Sequence, residues 1–175
     1  ATDLLEAAVT FPACDWSGQG DDVVWAPMTN WIPYVDGTFL VEQYRDALIA
    51  GHRVPCDLLV GNTTGEFMVP GPDGTPYPEG ECGNLDMIDA WVSGGGSEPY
   101  RYRFDVDMPG DDAGAFHSSD LWFSFGTLPA SWRPFRGWHY DLSHAMNRYW
   151  VNFAATDDPN GSGLPEWTAC GPDGQ

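Results

Sequence analysis

Two residues of this sequence carry proton-transfer chemistry in settings that could unite them: Glu66, in VGNTTGEF, and His117, in AGAFHSSD. Each lies in a loop after a short apolar or alternating run, residues 58–60 in one case and 100–106 in the other. Loops at the carboxyl ends of parallel strands are where α/β proteins place their sites. If the two runs are neighbouring strands, a carboxylate and an imidazole project from one rim. A carboxylate bonded to one ring nitrogen fixes the tautomer and stabilises the imidazolium, so the other nitrogen can act as a base. On spacing alone, a Glu and a His in separate loops are more often unrelated surface groups.

The elements that would hold this pair follow from periodicity. Residues 40–50 place Leu40, Val41, Tyr44, Ala47 and Leu48 three and four apart, a helical pattern with Gly51 at the left-handed cap position. Leu58, Leu59 and Val60, bounded by Pro55 and Gly61, read as a short strand buried on both faces. Residues 61–83 are rich in Gly and Pro and read as loop. Asn84 can cap a short helix over 85–92, ended by Gly94, Gly95 and Gly96. YRYRFDV alternates aromatic and charged residues, as a second strand would. Leu142, Ala145, Met146, Tyr149, Trp150, Phe153 and Ala154 form one apolar stripe at helical spacing, with Asp141 as N-cap and Asp157 to Gly161 as the stop. A short helix at 4–9 and broken extended pieces over 23–40 precede all this. Helix, strand, helix, strand, helix points to an α/β fold with parallel strands and helical crossovers.

Composition narrows the function classes. The 175 residues include nine Trp, seven Tyr and nine Phe, material for packing a core in one domain of ordinary size. Twenty-six Asp+Glu against seven Lys+Arg give a net charge of −19, which repels phosphate backbones and argues against nucleic acid as a partner. No apolar run approaches the roughly 20 residues of a membrane helix, and the acidic start reads against a signal peptide. Cys14, Cys56, Cys82 and Cys170 never form C-x-x-C, which argues against a compact zinc site. They are free thiols, or one or two disulfides in an exported protein; the compartment stays open.

The wording around the candidate pair adds what spacing lacks. VDGTFL, VPCDLLVGNTTGEF, YRYRFD with AGAFHSSDLWFSFG, and LSHAMNRYWVNFAATDDPNGSGLPEW, in that order, resemble the carboxylesterase type B family, which includes the cholinesterases. The resemblance covers most of residues 27–168. It implies an α/β-hydrolase fold, a mostly parallel sheet flanked by helices, incomplete here because relatives are much longer. It implies hydrolysis of carboxylic esters by a serine nucleophile, an acid and a histidine, with no cofactor and no metal. Glu66 stands at the family's acid and His117 at its histidine. Asp120, three past the histidine, stands where relatives carry an acidic residue that braces the site. Trp122, Phe123 and Phe125 read as packing residues, and Ser118 and Ser119 as hydroxyls that stabilise the histidine's turn.

The nucleophile is a different matter. It needs a Gly-x-Ser-x-Gly turn, and no such string occurs; Gly95-Gly96-Ser97-Glu98-Pro99 fails at its last position. No His-Gly-Gly-Gly run offers an oxyanion hole. The expectation is therefore a single partial domain, residues 1–175, equivalent to the C-terminal third of a carboxylesterase. It holds the acid and the base, is inactive alone, and meets a small-molecule ester only when an N-terminal portion completes it. An unpaired sheet edge would favour self-association. Two rival readings stand beside this one. The first is a non-catalytic, degenerate hydrolase relative. The second is an acidic ion-binding module at Asp105/Asp107 or Asp157/Asp158, although the twelfth positions of EF-hand loops counted from Asp105 and Asp157 are Phe116 and Thr168, not Glu.

Overall fold

A computed structural model describes residues 35–66, 68–70 and 76–170, with backbone only for 68–70 and 76–82. The expected helix at 4–9, most of the extended pieces over 23–40, Cys14 and the Cys82 side chain lie outside the described residues. The chain divides into two compact units, Ala1–Gln43 and Tyr44–Gln175. In the first, Asp36 Oδ1 accepts from the backbone N–H groups of Thr38, Phe39 and Leu40 at 2.8–3.0 Å. This is the Asx-type turn that an Asp-Gly pair favours.

The second unit runs α1 (Tyr44–Ile49), β1 (Leu59–Thr63), β2 (Met68–Pro70), β3 (Pro76–Pro78), α2 (Glu79–Ser93), β4 (Tyr100–Phe104), α3 (Leu121–Ser124), a 3₁₀ turn (Leu128–Ala130) and α4 (Gly137–Thr156). β1 and β4 pair in parallel, Leu59 beside Tyr100 and Thr63 beside Phe104. A parallel pair needs a long crossover, and α2 lies within it. β2 and β3 form a separate antiparallel pair.

Several expected boundaries move. α1 is shorter than residues 40–50, but Gly51 takes the left-handed cap, with φ +73° and its N–H on Leu48 O at 3.0 Å. Residues 61–83 are not all loop: they hold the β2–β3 pair and the first turns of α2, which starts before Asn84. Asn84 therefore caps nothing; its Nδ2 donates to Asn62 Oδ1 at 3.2 Å. β1 is only half-buried until Asn62 and Thr63, so the continuous apolar run at 58–60 overstated its burial. α4 begins at Gly137, four residues ahead of Asp141, with Arg136 at the cap position and His139 closing the first turn: its Nδ1 accepts from Arg136 N–H at 2.8 Å. Asp157 ends α4 as read, in the left-handed region at φ 62°.

The core that fixes β4 against α4 centres on a pair of phenylalanines. Phe104, Met108, Ala115, Phe123, Leu128 and Met146 are buried together. Phe104 and Phe123 meet edge to face at 5.0 Å. Ser143 Oγ donates to Phe123 O at 2.8 Å and Asn147 Nδ2 to Ser124 O at 2.6 Å, so α4 also satisfies carbonyls of the short α3. Phe125 is not a packing residue: it is 72% exposed, because α3 is too short to bury more than one side. After α4 the chain returns along β4, with Trp167 Nε1 on Arg101 O at 3.1 Å and Cys170 N–H on Pro99 O at 2.7 Å.

Candidate active site

The two loops leaving β1 and β4 are joined before either reaches its candidate residue. Thr64 N–H donates to Phe104 O at 2.9 Å, and Thr64 Oγ1 donates to Asp105 Oδ1 at 2.5 Å. Gly65 N–H donates to Ala115 O at 2.8 Å, and Gly65 forms a parallel bridge with Phe116. Only glycine fits at residue 65, since a Cβ there would lie 2.7 Å from Ala115 O. The next residues on the two strands of this bridge are Glu66 and His117.

Their side chains meet: Glu66 Oε2 and His117 Nδ1 are hydrogen-bonded across the rim. Glu66 is held from the other side by Thr63, whose Oγ1 donates to Oε1 at 2.7 Å and whose N–H approaches it at 3.4 Å. Burial pushes the Glu66 carboxyl up, but the hydrogen bonds from His117 and Thr63 outweigh it and leave the pKa below the usual value. Glu66 is then a carboxylate near neutrality, able only to accept, so Nδ1 of His117 carries the shared proton. The acid is 13% exposed and the imidazole 60% exposed. The carboxylate is thus shielded while the ring remains accessible, the arrangement a base needs to receive a proton at Nε2.

Asp120 turns to another partner. It is buried, and Tyr102 donates its phenol hydrogen to Asp120 Oδ2 at 2.9 Å. Burial first, then the Asp120 charge, raise the Tyr102 pKa well above that of a free tyrosine, so the phenol stays protonated and keeps donating. Gly61 makes this bond possible, since a Cβ there would stand 2.2 Å from Tyr102 Cδ1. The turn from His117 to Asp120 is tight: Ser118 has φ 67°, and Ser119 N–H donates to Phe116 O at 2.9 Å. Among the described residues neither serine braces that turn through its hydroxyl. Ser119 Oγ is buried with no hydrogen-bond partner among the described residues.

Thr63, Gly65 and Tyr102 were not singled out in the sequence, and Gly61 was read as the end of a strand that in fact runs through it to Thr63. As for the candidate ion loops, Asp105 is bonded to Thr64, and Asp158 accepts from Asn160 at 2.8 and 2.9 Å. No group of three His, Cys, Asp or Glu among the described residues could hold a metal ion. Cys56 is an exposed free thiol and Cys170 a buried one. No helix among the described residues is long and apolar enough to cross a membrane.

Comparison with known proteins decides the family. The model of the carboxylesterase family matches residues 79–175, more than half of the chain. The chain belongs to the carboxylesterase family. His117 and Asp120 fall within the matched stretch and Glu66 precedes it. Dog (Canis lupus familiaris) carboxylesterase 5A is 47% identical over 79 residues, which are 40% of this chain and 14% of that protein. Chicken (Gallus gallus) acetylcholinesterase is 32% identical over 99 residues, 54% of this chain and 13% of the relative. The chain thus matches about one-seventh of the length of these curated relatives. Among solved structures, a carboxylesterase of Geobacillus stearothermophilus superposes with a TM-score of 0.59 at 26% identity, covering 78% of this chain and 39% of the other. A PNB esterase gives 0.61 at 19% identity, covering 79% and 37%. The fold is that of an α/β hydrolase, present here as a small, incomplete parallel sheet with its helices.

Proposed function

We propose that residues 1–175 act as the C-terminal third of a carboxylic ester hydrolase, supplying its acid and base while the serine and oxyanion donors come from polypeptide beyond these residues. The observation that carries this reading is the Glu66–His117 hydrogen bond on one rim of adjacent parallel strands. Glu66 holds the ring with the proton on Nδ1, so that Nε2 takes the serine proton as the oxygen attacks the ester carbonyl. The same nitrogen then returns the proton to the departing alcohol, while Glu66 stabilises the transient imidazolium. Asp120 braces the turn that carries the imidazole. β1 is paired on one side only among the described residues, and this edge is where a completing strand, or a second copy, would add.

Lacking a nucleophile, the chain alone has no acyl-enzyme route. Losing one oxyanion donor already costs about 2.7–4 kcal/mol of transition-state stabilisation. The purified chain is expected to hydrolyse p-nitrophenyl acetate no faster than its His117→Ala variant. Co-expression with a matching N-terminal portion is expected to restore esterase activity that His117→Ala and Glu66→Ala both abolish. Failure to restore activity in the unmutated pair would count against the reading.

A further inference from the structure

The loop that delivers His117, residues 105–116, contains Pro109, Gly110 and Gly114, and its conformational freedom would scatter the imidazole unless something holds it. Gly65 and Thr64 hold its two ends. Its middle is held by a residue from a distant part of the chain. Arg133 Nη1 donates to Pro109 O at 3.0 Å and to Asp111 Oδ1 at 2.7 Å, and Nη2 donates to Asp111 Oδ2 at 2.9 Å. The guanidinium also lies over two rings, Trp132 at 4.9 Å and Phe116 at 5.2 Å. Phe116 is the residue immediately before His117.

We infer that Arg133 is a positioning residue for His117, clamping through Asp111, Pro109 and Phe116 the loop that presents the imidazole to Glu66; the inference rests on the acid–base reading of that pair. The Arg133 side chain is only 6% exposed. A buried cation is retained only when paired in good geometry, and a planar fork with two parallel bonds and stacked faces is a geometry that lysine cannot reproduce. Its buried Nε has no partner among the described residues, so the fold tolerates one unmet donor to keep the fork where it is. Gly110 completes the clamp. It has φ +109°, and a Cβ there would approach the Trp132 ring to 2.9 Å, so the loop backbone can lie against the ring that Arg133 covers.

Removing a clamp that only added stability would lower the melting temperature and leave the geometry of the surviving fold alone. A positioning residue must move the Glu66–His117 bond itself. Two readouts on the isotope-labelled 175-residue chain separate these: the proton NMR resonance of the bridging His117 Nδ1–H, and the exchange rate of the Gly65 amide bonded to Ala115. Arg133→Met is expected to erase or broaden the resonance and to speed Gly65 exchange at least tenfold relative to helix α4 amides, and Arg133→Lys is expected not to restore either. If Arg133→Met does not fold, Asp111→Asn removes one arm of the fork at an outer carboxylate and is expected to shift both readouts in the same direction. A folded variant with an unchanged resonance and unchanged Gly65 exchange would overturn the inference. Glu66→Ala, which removes the acceptor, separates its failure from that of the acid–base reading. If the resonance survives Glu66→Ala, the pair was misread, and Gly65 exchange alone then judges the clamp.

Discussion

Gly61→Ala tests the packing that carries Asp120. The added methyl would sit 2.2–2.4 Å from three atoms of the Tyr102 ring, well inside any tolerated contact. β1 cannot retreat, because its register with β4 is fixed by Leu59–Tyr100 and Thr63–Phe104 on either side, so the ring must tip away. Tipping breaks the phenol bond to Asp120 and disturbs the Tyr102–Trp150 contact at 5.1 Å. Forcing a methyl into packed structure costs about 1–3 kcal/mol, and losing a hydrogen bond to a carboxylate costs about 1.5–3 kcal/mol. Removing a glycine from a strand returns about 0.5–1 kcal/mol. The net loss is expected near 2–5 kcal/mol, read as a lower urea midpoint by far-UV circular dichroism and tryptophan fluorescence with an unchanged slope. In a Tyr102→Phe background the same change should cost about 1.5 kcal/mol less, because no phenol bond remains to be lost. A loss below about 1 kcal/mol, or equal losses in both backgrounds, would refute the reasoning.

Three further outcomes are expected. Glu66 has a lowered folded pKa, so its contribution to stability is complete above the unfolded value and disappears as pH falls through the folded one; urea midpoints of the wild type and Glu66→Gln should differ at pH 7 and converge at strongly acid pH. His139, whose pKa burial lowers, must be neutral to cap α4 through Nδ1. Its stabilisation is therefore full above about pH 6.5 and fades below it, whereas His139→Asn should flatten that part of the profile in melts at pH 7.5 and 5. Phe123→Ala removes a fully buried ring packed against Phe104 and Phe135, and should cost about 3–5 kcal/mol by urea denaturation.

The meeting of Glu66 with His117 was legible because both the strand–loop order and the family wording converge on them. The parallel pairing of β1 with β4 was legible for the same reason, as apolar and alternating runs separated by a helical pattern. What the sequence hid were contacts made across it. Tyr102 reads locally as one aromatic in an alternating strand, and nothing near it announces Asp120 as its acceptor. Arg133 lies in an irregular stretch whose meaning appears only when Asp111 and Phe116 come beside it. The start of α4 was misplaced because a carboxylate is the usual cap, whereas here Arg136 takes that place and the buried His139, three residues on, accepts its N–H. The β2–β3 pair was missed because glycine and proline mask short pairings whose register depends on tertiary contacts.

The backbone bridge from Gly65 to Ala115 and Phe116, with Thr64 bound to Asp105, makes the two loops that carry Glu66 and His117 a single mechanical part. Transplanting either loop alone into another scaffold would leave half of a stitched seam with nothing to fasten to. Chimera makers should therefore exchange both loops as one cassette, with the two strands that feed them, and lengthen one only if the other is changed to match.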